Sequence, residues 1–348
     1  MKKLIALLLA LVMVCGLVAC GNKAEAPAAD APAADAPAAD AGMTFAIVPK
    51  SAGNPYNERE ASGFEAGCEA LGITPIVQYP EDTSAEAQIN VINNLVAQGV
   101  NGIAVAANDA EALESTLEAA KAAGIVVVSL DSDAKGAQLF VNQAGVKEVA
   151  QVLVDSIYDM SGGAGEFAVL SASSTATNQN AWIAAMEEII AADEKYANLT
   201  WVETVYGDDE PQKSTDEAQS LMTKYPNLKV ICCPTTVGVL ACAQAVQNAG
   251  SSIKVAGLGL PSEMKDYVGD DKVCPYMYLW NPIDVGNCAA YMIDALAEGK
   301  VGEIGTSFEA KNGTSYEVMA GDPAAKQIIV GPPFAFTGEN IAEWAEVY

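Results

Sequence analysis

Residues 102–130 read GIAVAANDAEALESTLEAAKAAGIVVVSL and contain a complete strand–helix–strand unit. The unbroken apolar runs at 102–106 and 125–130 predict two strands that are buried on both faces, as in parallel sheets covered by helices. Between them, residues 110–123 place apolar side chains at helical spacing and predict the crossover helix. This stretch therefore predicts an α/β fold built on parallel strands.

The same alternation extends in both directions along the chain. Further apolar runs predict strands at 43–48, 73–79, 166–171, 199–206, 229–233, 253–258 and 273–280. Amphipathic segments predict helices at 56–71, 85–98, 146–158, 178–192, 211–225 and 237–248. This is more strands than one doubly wound sheet holds comfortably, so we predict two similar doubly wound parallel-sheet lobes.

The N-terminus has the features of a lipoprotein signal peptide. Lys2 and Lys3 precede an apolar run at 4–18, which is too short for a comfortable membrane span, and residues 17–21 read LVACG. We predict a signal peptide at 1–20 and lipid attachment at Cys20; an ordinary signal peptide with a chance cysteine is the alternative. Residues 21–42 repeat Ala-Pro-Ala-Ala-Asp and lack large apolar side chains, which predicts a disordered tether.

Charge and composition exclude several classes of function. The formal net charge is −27, and Arg59 is the only arginine, which argues against nucleic-acid binding. The chain has no histidine, so a Ser-His-Asp or Cys-His triad and every zinc site that needs imidazole are excluded. We therefore expect a protein that is not an enzyme, with no cofactor and no metal, attached to the membrane through its anchor alone.

Six cysteines follow the signal peptide: Cys68, Cys232, Cys233, Cys242, Cys274 and Cys288. No pair has the CxxC spacing of a redox or metal site, so we expect most of them to be small buried core residues. Their even number in an exported protein permits disulfides, and the sequence leaves the pairing open.

Polar residues follow the predicted strands, where ligands bind in open α/β sheets. Lys50, Asp131, Asn178, Gln179, Thr236 and Asn281 lie at these ends, with the aromatic residues Tyr56, Trp182 and Trp280 near them. Amides and carboxylates can bond pairs of vicinal hydroxyls, and aromatic rings can cover the C–H face of a sugar. We therefore predict a polyol site.

Six short stretches, spread in order over nearly all of the chain after Phe45, resemble the type-1 periplasmic sugar-binding proteins of ABC importers. They are AIVPK (46–50), SLDSD (129–133), TNQNAW (177–182), PTTVG (234–238), GLGLPSEM (257–264) and LWNPIDVG (279–286). The resemblance is strongest to the branch that contains rhamnose-binding and autoinducer-2-binding proteins.

The resemblance implies a set of ligand contacts: Lys50, Asp131, Asn178, Gln179, Pro234, Thr236 and Trp280. Autoinducer-2 binders are similar at Lys50, Asp131, Gln179 and Pro234, but they have aspartate where this chain has Asn178 and alanine where it has Thr236. These differences favour a rhamnose-like deoxysugar, with autoinducer-2 or another small sugar as the alternative.

The resemblance also implies the domain organisation and the mechanism. Three crossings, near Asn142, Ala256 and Asn281, would form a three-segment hinge between lobe one (43–141 plus 257–281) and lobe two (142–256 plus 282–348). A monomer would close over one sugar in the cleft between the lobes and deliver it to an ABC permease and ATPase complex outside the cytoplasm.

Three other functions share parts of this pattern. A lipoprotein sensor would present the same closed form to a receptor, and sequence does not separate it from a transport protein. A glycosidase would need paired carboxylates such as Asp131 and Asp133, but their spacing of two residues on one segment suits paired acid/base work poorly. A sugar-responsive repressor would carry a DNA-binding headpiece where this chain has a signal peptide.

Overall fold

Strands and helices alternate along the chain in the computed structural model, which describes residues 42–311, 313–321 and 326–348. The strands are β1 (Thr44–Val48), β2 (Thr74–Val77), β3 (Gly102–Val105), β4 (Val126–Leu130), β5 (Leu139–Asn142), β6 (Gly165–Ser171), β7 (Leu199–Tyr206), β8 (Leu228–Cys233), β9 (Lys254–Gly257), β10 (Tyr276–Leu279), β11 (Ser307–Glu309), β12 (Ser315–Glu317), β13 (Met319–Ala320), β14 (Lys326–Ile329) and β15 (Phe334–Thr337). The helices are α1 (Pro55–Leu71), α2 (Ala85–Gln98), α3 (Glu114–Ala122), α4 (Val146–Ser161), α5 (Thr177–Ala192), α6 (Pro211–Lys224), α7 (Thr236–Asn248), α8 (Pro261–Met264), α9 (Pro282–Ala297) and α10 (Ile341–Trp344).

Two parallel-dominated sheets organise these elements, which confirms the predicted fold class. The first sheet has the order β13-β14-β5-β4-β3-β1-β2, and only the edge strand β13 pairs antiparallel to its neighbour. The second has the order β7-β6-β8-β9 and is parallel throughout. Strands β1, β3 to β6, β8 and β9 are largely buried because helices cover both faces of each sheet, whereas the edge strand β7 is mostly half-buried.

The predicted signal peptide at 1–20, with Cys20, lies outside the described residues, as does the tether at 21–42 apart from Gly42. None of the helices in the described part of the chain is long and apolar enough to cross a membrane.

The closing part of the chain differs from the predicted lobes. We refer to the first sheet with its covering helices as lobe one and to the second sheet with its helices as lobe two. Strand β10 continues the second sheet through a bridge between Leu258 and Tyr278, and it pairs with β15. Helix α9 packs instead on α1, β3 and β4 of lobe one. Residues 257–279 therefore belong with lobe two and 282–297 with lobe one, the reverse of the prediction.

Three connections join the lobes in this arrangement. They are the segments between β5 and α4, between β10 and α9, and between β14 and β15. The crossing expected near Ala256 is wrong, because this residue lies inside β9 and pairs with Cys232 of β8. The third connection instead lies at residues 330–333.

Helices α1 and α9 pack unusually closely, and glycines permit this. A Cβ added at Gly63 of α1 would lie 2.0 Å from the carbonyl oxygen of Ile283. A Cβ added at Gly286 of α9 would lie 1.8 Å from the carbonyl oxygen of Glu60. The two backbones therefore touch, and their contact fixes the position of the first turns of both helices beside the cleft.

Candidate functional site

The carboxyl ends of both sheets face one cleft between the lobes. Its volume is about 380 Å³ including the open mouth. Its walls come from both lobes and from the connection that follows β10. The lining residues are Lys50, Asn54, Tyr56, Asn57, Asp131, Asn178, Gln179, Trp182, Asp209, Pro234, Thr235, Thr236, Leu258, Leu279 and Trp280.

A buried ion pair forms the centre of the lobe-one wall. Lys50 follows β1 and Asp131 follows β4, and the Lys50 Nζ lies 2.7 Å from the Asp131 Oδ2. Their side chains are only 13% and 6% exposed, so each charge depends on the other for compensation. Asp131 adopts a φ of 57°, a left-handed conformation that aspartate tolerates better than most residues.

Two aromatic side chains extend this pair into a hydrogen-bonded chain. The Tyr56 hydroxyl donates to the Asp131 Oδ1 at 3.2 Å, and the Trp280 Nε1 donates to the Tyr56 hydroxyl at 2.7 Å. Burial, and then the charge of Asp131, raise the pKa of Tyr56, so it remains a neutral donor. The Trp280 ring also packs against Trp182, with centroids 5.6 Å apart. The orientation of the indole is thus determined from two sides.

The first turn of α5 brings two amides to the same place from lobe two. The Asn178 Oδ1 accepts hydrogen bonds from the Ser132 Oγ at 2.9 Å and from the Lys50 Nζ at 3.3 Å, both across the cleft. The buried Gln179 Oε1 has no hydrogen-bond partner within the described part of the chain. An unsatisfied acceptor at a cleft wall is the feature expected of a group that bonds a ligand.

The remaining predicted residues divide into two groups. Pro234 follows β8, and Thr236 begins α7; both line the cleft. Asn281 does not line it: its Oδ1 caps α9 by accepting from the Ile283 amide at 3.0 Å, and its Nδ2 donates to Asp284 at 3.0 Å. The predicted ligand contact from Asn281 is therefore replaced by a helix cap.

Asp209 is a charged residue of the cleft wall that was not predicted from the sequence. It lies at the second lobe's side of the cleft, three residues after β7, and its Oδ1 accepts from the Thr235 hydroxyl. Burial raises the pKa of Asp209, while the Thr235 hydroxyl and Lys50 oppose that rise. The sequence could have indicated Asp209 as a site residue, because Gly207-Asp208-Asp209 follows the end of a predicted parallel strand.

Asp133, the second carboxylate of the glycosidase alternative, is held away from the cleft. Its Oδ1 accepts from the Ser129 Oγ at 2.7 Å and from the Ala134 amide at 2.9 Å. The pair at 131 and 133 therefore does not face one substrate. The described residues contain no group of three or more Cys, Asp or Glu side chains that could hold a metal ion.

The six cysteines within the described residues, from Cys68 to Cys288, are buried free thiols. Burial, with the charges of Glu65 and Glu69 nearby, raises the pKa of Cys68 to about 12. Burial likewise raises the pKa of Cys274 to about 12. These thiols are buried core residues, as expected for most of them, and none of them lines the cleft.

Comparison with known proteins agrees with this geometry. Residues 45–301 match the family described as periplasmic binding protein domain. The D-allose-binding periplasmic protein of Escherichia coli (strain K12) is 26% identical over 273 residues, which are 74% of this chain and 86% of the relative.

Two solved structures extend the similarity. An ABC transporter solute-binding protein from Clostridium phytofermentas with bound L-rhamnose is 49% identical, with a TM-score of 0.86 over 88% of this chain and 99% of its own. LsrB from Clostridium saccharobutylicum in complex with AI-2 is 25% identical, with a TM-score of 0.81 over 87% and 99% of the two chains. These relatives are binding proteins, not enzymes.

Proposed function

Because this chain belongs to the periplasmic binding protein family, the extracytoplasmic sugar-binding components of ABC transporters, we propose that it captures a rhamnose-like deoxysugar. The sugar would lie in the cleft between the lobes and pass to an ABC permease. The observation that carries the proposal is the buried, mixed donor and acceptor set around the Lys50–Asp131 pair. The L-rhamnose bound to the 49% identical relative supports the choice of sugar.

The chemistry of the walls suits a neutral ligand rich in hydroxyls. Lys50 offers N–H donors, Asp131 and the Gln179 Oε1 offer acceptors, and the Asn178 amide offers both. Trp280 uses its N–H on Tyr56, so its ring is left to contact apolar atoms. A deoxysugar has hydroxyls that can bond to these polar groups and a C6 methyl that can contact the Trp280 ring. Each satisfied hydrogen bond contributes about 1 kcal/mol net, and more where a charge takes part.

Closure of the hinge provides the mechanism. Lys50 and Ser132 of lobe one meet Asn178 of lobe two, so the hydrogen bonds across the cleft exist only when the lobes are close. A sugar that bonds to both walls adds contacts that the open form lacks. This differential affinity shifts the population toward the closed form that a permease would recognise.

Isothermal titration calorimetry on the purified domain, residues 42–348, tests the proposal. The panel contains L-rhamnose, other deoxysugars, D-ribose, D-allose and autoinducer-2. We expect saturable binding of L-rhamnose, its loss in Lys50→Met, and wild-type affinity in Lys135→Met. The latter is a matched control, because Lys135 forms an exposed ion pair with Glu111.

Each other outcome has a defined meaning. Binding of D-ribose with no response to deoxysugars would contradict the specificity and leave the class intact. Binding of autoinducer-2 alone would support the quorum-signal alternative. Release of reducing sugar from a panel of glycosides would contradict the proposal that the protein has no enzymatic activity.

Anchoring is a separate proposal, with the signal peptide at 1–20 and acylation at Cys20. The full chain expressed in a bacterial host should partition into detergent and carry two or three acyl chains at its N-terminus by mass spectrometry. Cys20→Ala should remain uncleaved and unacylated.

Light scattering should find the soluble domain as a monomer. Neighbouring genes for a permease and ATPase, or for a kinase, would distinguish transport from sensing.

A further inference from the structure

Asp131 of lobe one and Asp209 of lobe two share several structural features, although they follow strands at different places in their sheets, β4 and the edge strand β7. Each follows a strand at the carboxyl end of its sheet, and each adopts a positive φ, 57° and 53° respectively. Each also accepts a hydrogen bond from a hydroxyl of its own lobe, from Tyr56 and from Thr235. The two carboxyl groups line the same cleft.

The turn that carries Asp209 is held in a conformation that costs free energy. Asp208 and Asp209 both have positive φ, at a cost of about 1 kcal/mol or more for each residue. Backbone hydrogen bonds from Gly207 to Ser171 and from Asp208 to Ala172 tie the turn to the end of β6. Such strain persists only where surrounding contacts enforce it, and it is concentrated at ligand sites.

The two adjacent aspartates then point in different directions. The Asp208 carboxylate pairs with Lys213 on the surface and is 45% exposed. The Asp209 side chain lines the cleft, and its second carboxyl oxygen accepts no hydrogen bond from the described residues. The Thr235 hydroxyl thus fixes one oxygen and leaves the other available.

We propose that Asp209 binds a hydroxyl of the sugar from lobe two, opposite Lys50 and Asp131, and thereby makes that hydroxyl a requirement for recognition. The inference rests on the proposed sugar-binding function. A carboxyl acceptor at this wall needs an O–H donor, and it disfavours a ligand with a carboxylate or phosphate there. Asp209 therefore selects neutral polyols against uronates and sugar phosphates.

Calorimetry with L-rhamnose and its monodeoxy analogues tests the inference on wild-type protein, Asp209→Asn and Asp208→Asn. Asparagine also tolerates positive φ, so both variants keep the turn. We expect Asp209→Asn to bind L-rhamnose about tenfold more weakly or worse, as for a lost charge-assisted hydrogen bond. We expect Asp208→Asn, the matched control, to stay within about twofold of wild type.

The analogues separate a direct contact from a structural effect. The analogue that lacks the hydroxyl bound by Asp209 should bind wild type and Asp209→Asn with nearly equal affinity. Neither protein can form the hydrogen bond to that hydroxyl when the analogue lacks it. Equal binding of L-rhamnose by wild type and Asp209→Asn would overturn the inference. A loss in Asp209→Asn that is the same for every analogue would also overturn it, since the residue would then act on the fold.

A crystal structure of the wild-type complex provides a test that needs no variant. It supports the inference if an Asp209 carboxyl oxygen lies within hydrogen-bonding distance of a sugar hydroxyl, about 2.5–3.0 Å. An Asp209 that contacts only Thr235 and solvent overturns it. Wild-type protein that binds no sugar would instead remove the proposed function itself, a result distinct from both.

Discussion

Glu60 is a buried acidic residue whose protonation should make the stability of the protein depend on pH. It lies on α1 with a fully buried side chain, and neither carboxyl oxygen has a hydrogen-bond partner within the described residues. Burial, and then the nearby charge of Asp131, raise the pKa of Glu60 well above its ordinary value, with Lys50 opposing. We expect Glu60 to be protonated in the folded protein and ionised in the unfolded chain.

The perturbation is Glu60→Gln, which keeps the shape of the neutral side chain and removes its titration. A carboxyl whose pKa is raised by folding stabilises the protein fully at low pH. That contribution declines as pH rises above the ordinary value of 4.5 and continues to decline up to the folded pKa. Each pH unit in this window costs about 1.4 kcal/mol of unfolding free energy.

Urea unfolding between pH 5 and pH 7 measures this effect. We expect the stability of wild type minus that of Glu60→Gln to fall by about 1.4 kcal/mol per pH unit over this range, until the folded pKa is reached. The difference removes the pH dependence that the two proteins share. Glu58→Gln is the control, because Glu58 lies exposed on the same helix and should leave the slope unchanged. Parallel pH profiles for wild type and Glu60→Gln would refute the reasoning.

Three further predictions concern packing, the aromatic chain and the thiols. Gly286→Ala should destabilise the domain by about 2 kcal/mol or more in thermal or urea unfolding, because its Cβ meets the backbone of α1; an unchanged midpoint would contradict the close α1–α9 contact. Trp280→Phe keeps a ring but removes the donor to Tyr56, so sugar affinity should fall by about 1 kcal/mol in calorimetry. That loss should disappear in a Tyr56→Phe background, and purely additive losses would argue against coupling. The six buried thiols of the described residues should react with iodoacetamide only after denaturation, as read by intact mass; rapid labelling of the native protein would contradict their burial.

The fold class was predictable because it depends on local patterns. Unbroken apolar runs predict buried strands, and the helix from Ala85 to Gln98 and the strand from Leu199 to Tyr206 are predicted to the residue. Strand β5 is absent from the prediction, since a strand of only four residues is too short to show a clear periodicity. The strands after Asn281 are absent for the same reason, whereas α9 is absent although its 16 residues are long enough to show helical periodicity.

The site was predictable only in part. Lys50, Asp131 and the amides of α5 lie together as expected, because parallel strands end at one edge. Asn281 and Asp209 show the limit of that rule: both follow strand ends, yet one caps a helix and the other lines the cleft. The rule predicts which residues lie at the carboxyl edge of a sheet, but it does not predict where the side chain of each residue points.

The sequence alone determined that this chain is an α/β protein built on parallel strands, because apolar periodicity acts over short stretches of chain. Only the tertiary structure decided which lobe holds the segments on either side of Asn281, and which side chains meet. The Trp280–Tyr56 hydrogen bond joins residues 224 positions apart, and the Lys50–Asn178 bond joins residues 128 apart. Such contacts depend on the packing of whole layers against each other, which no local pattern records.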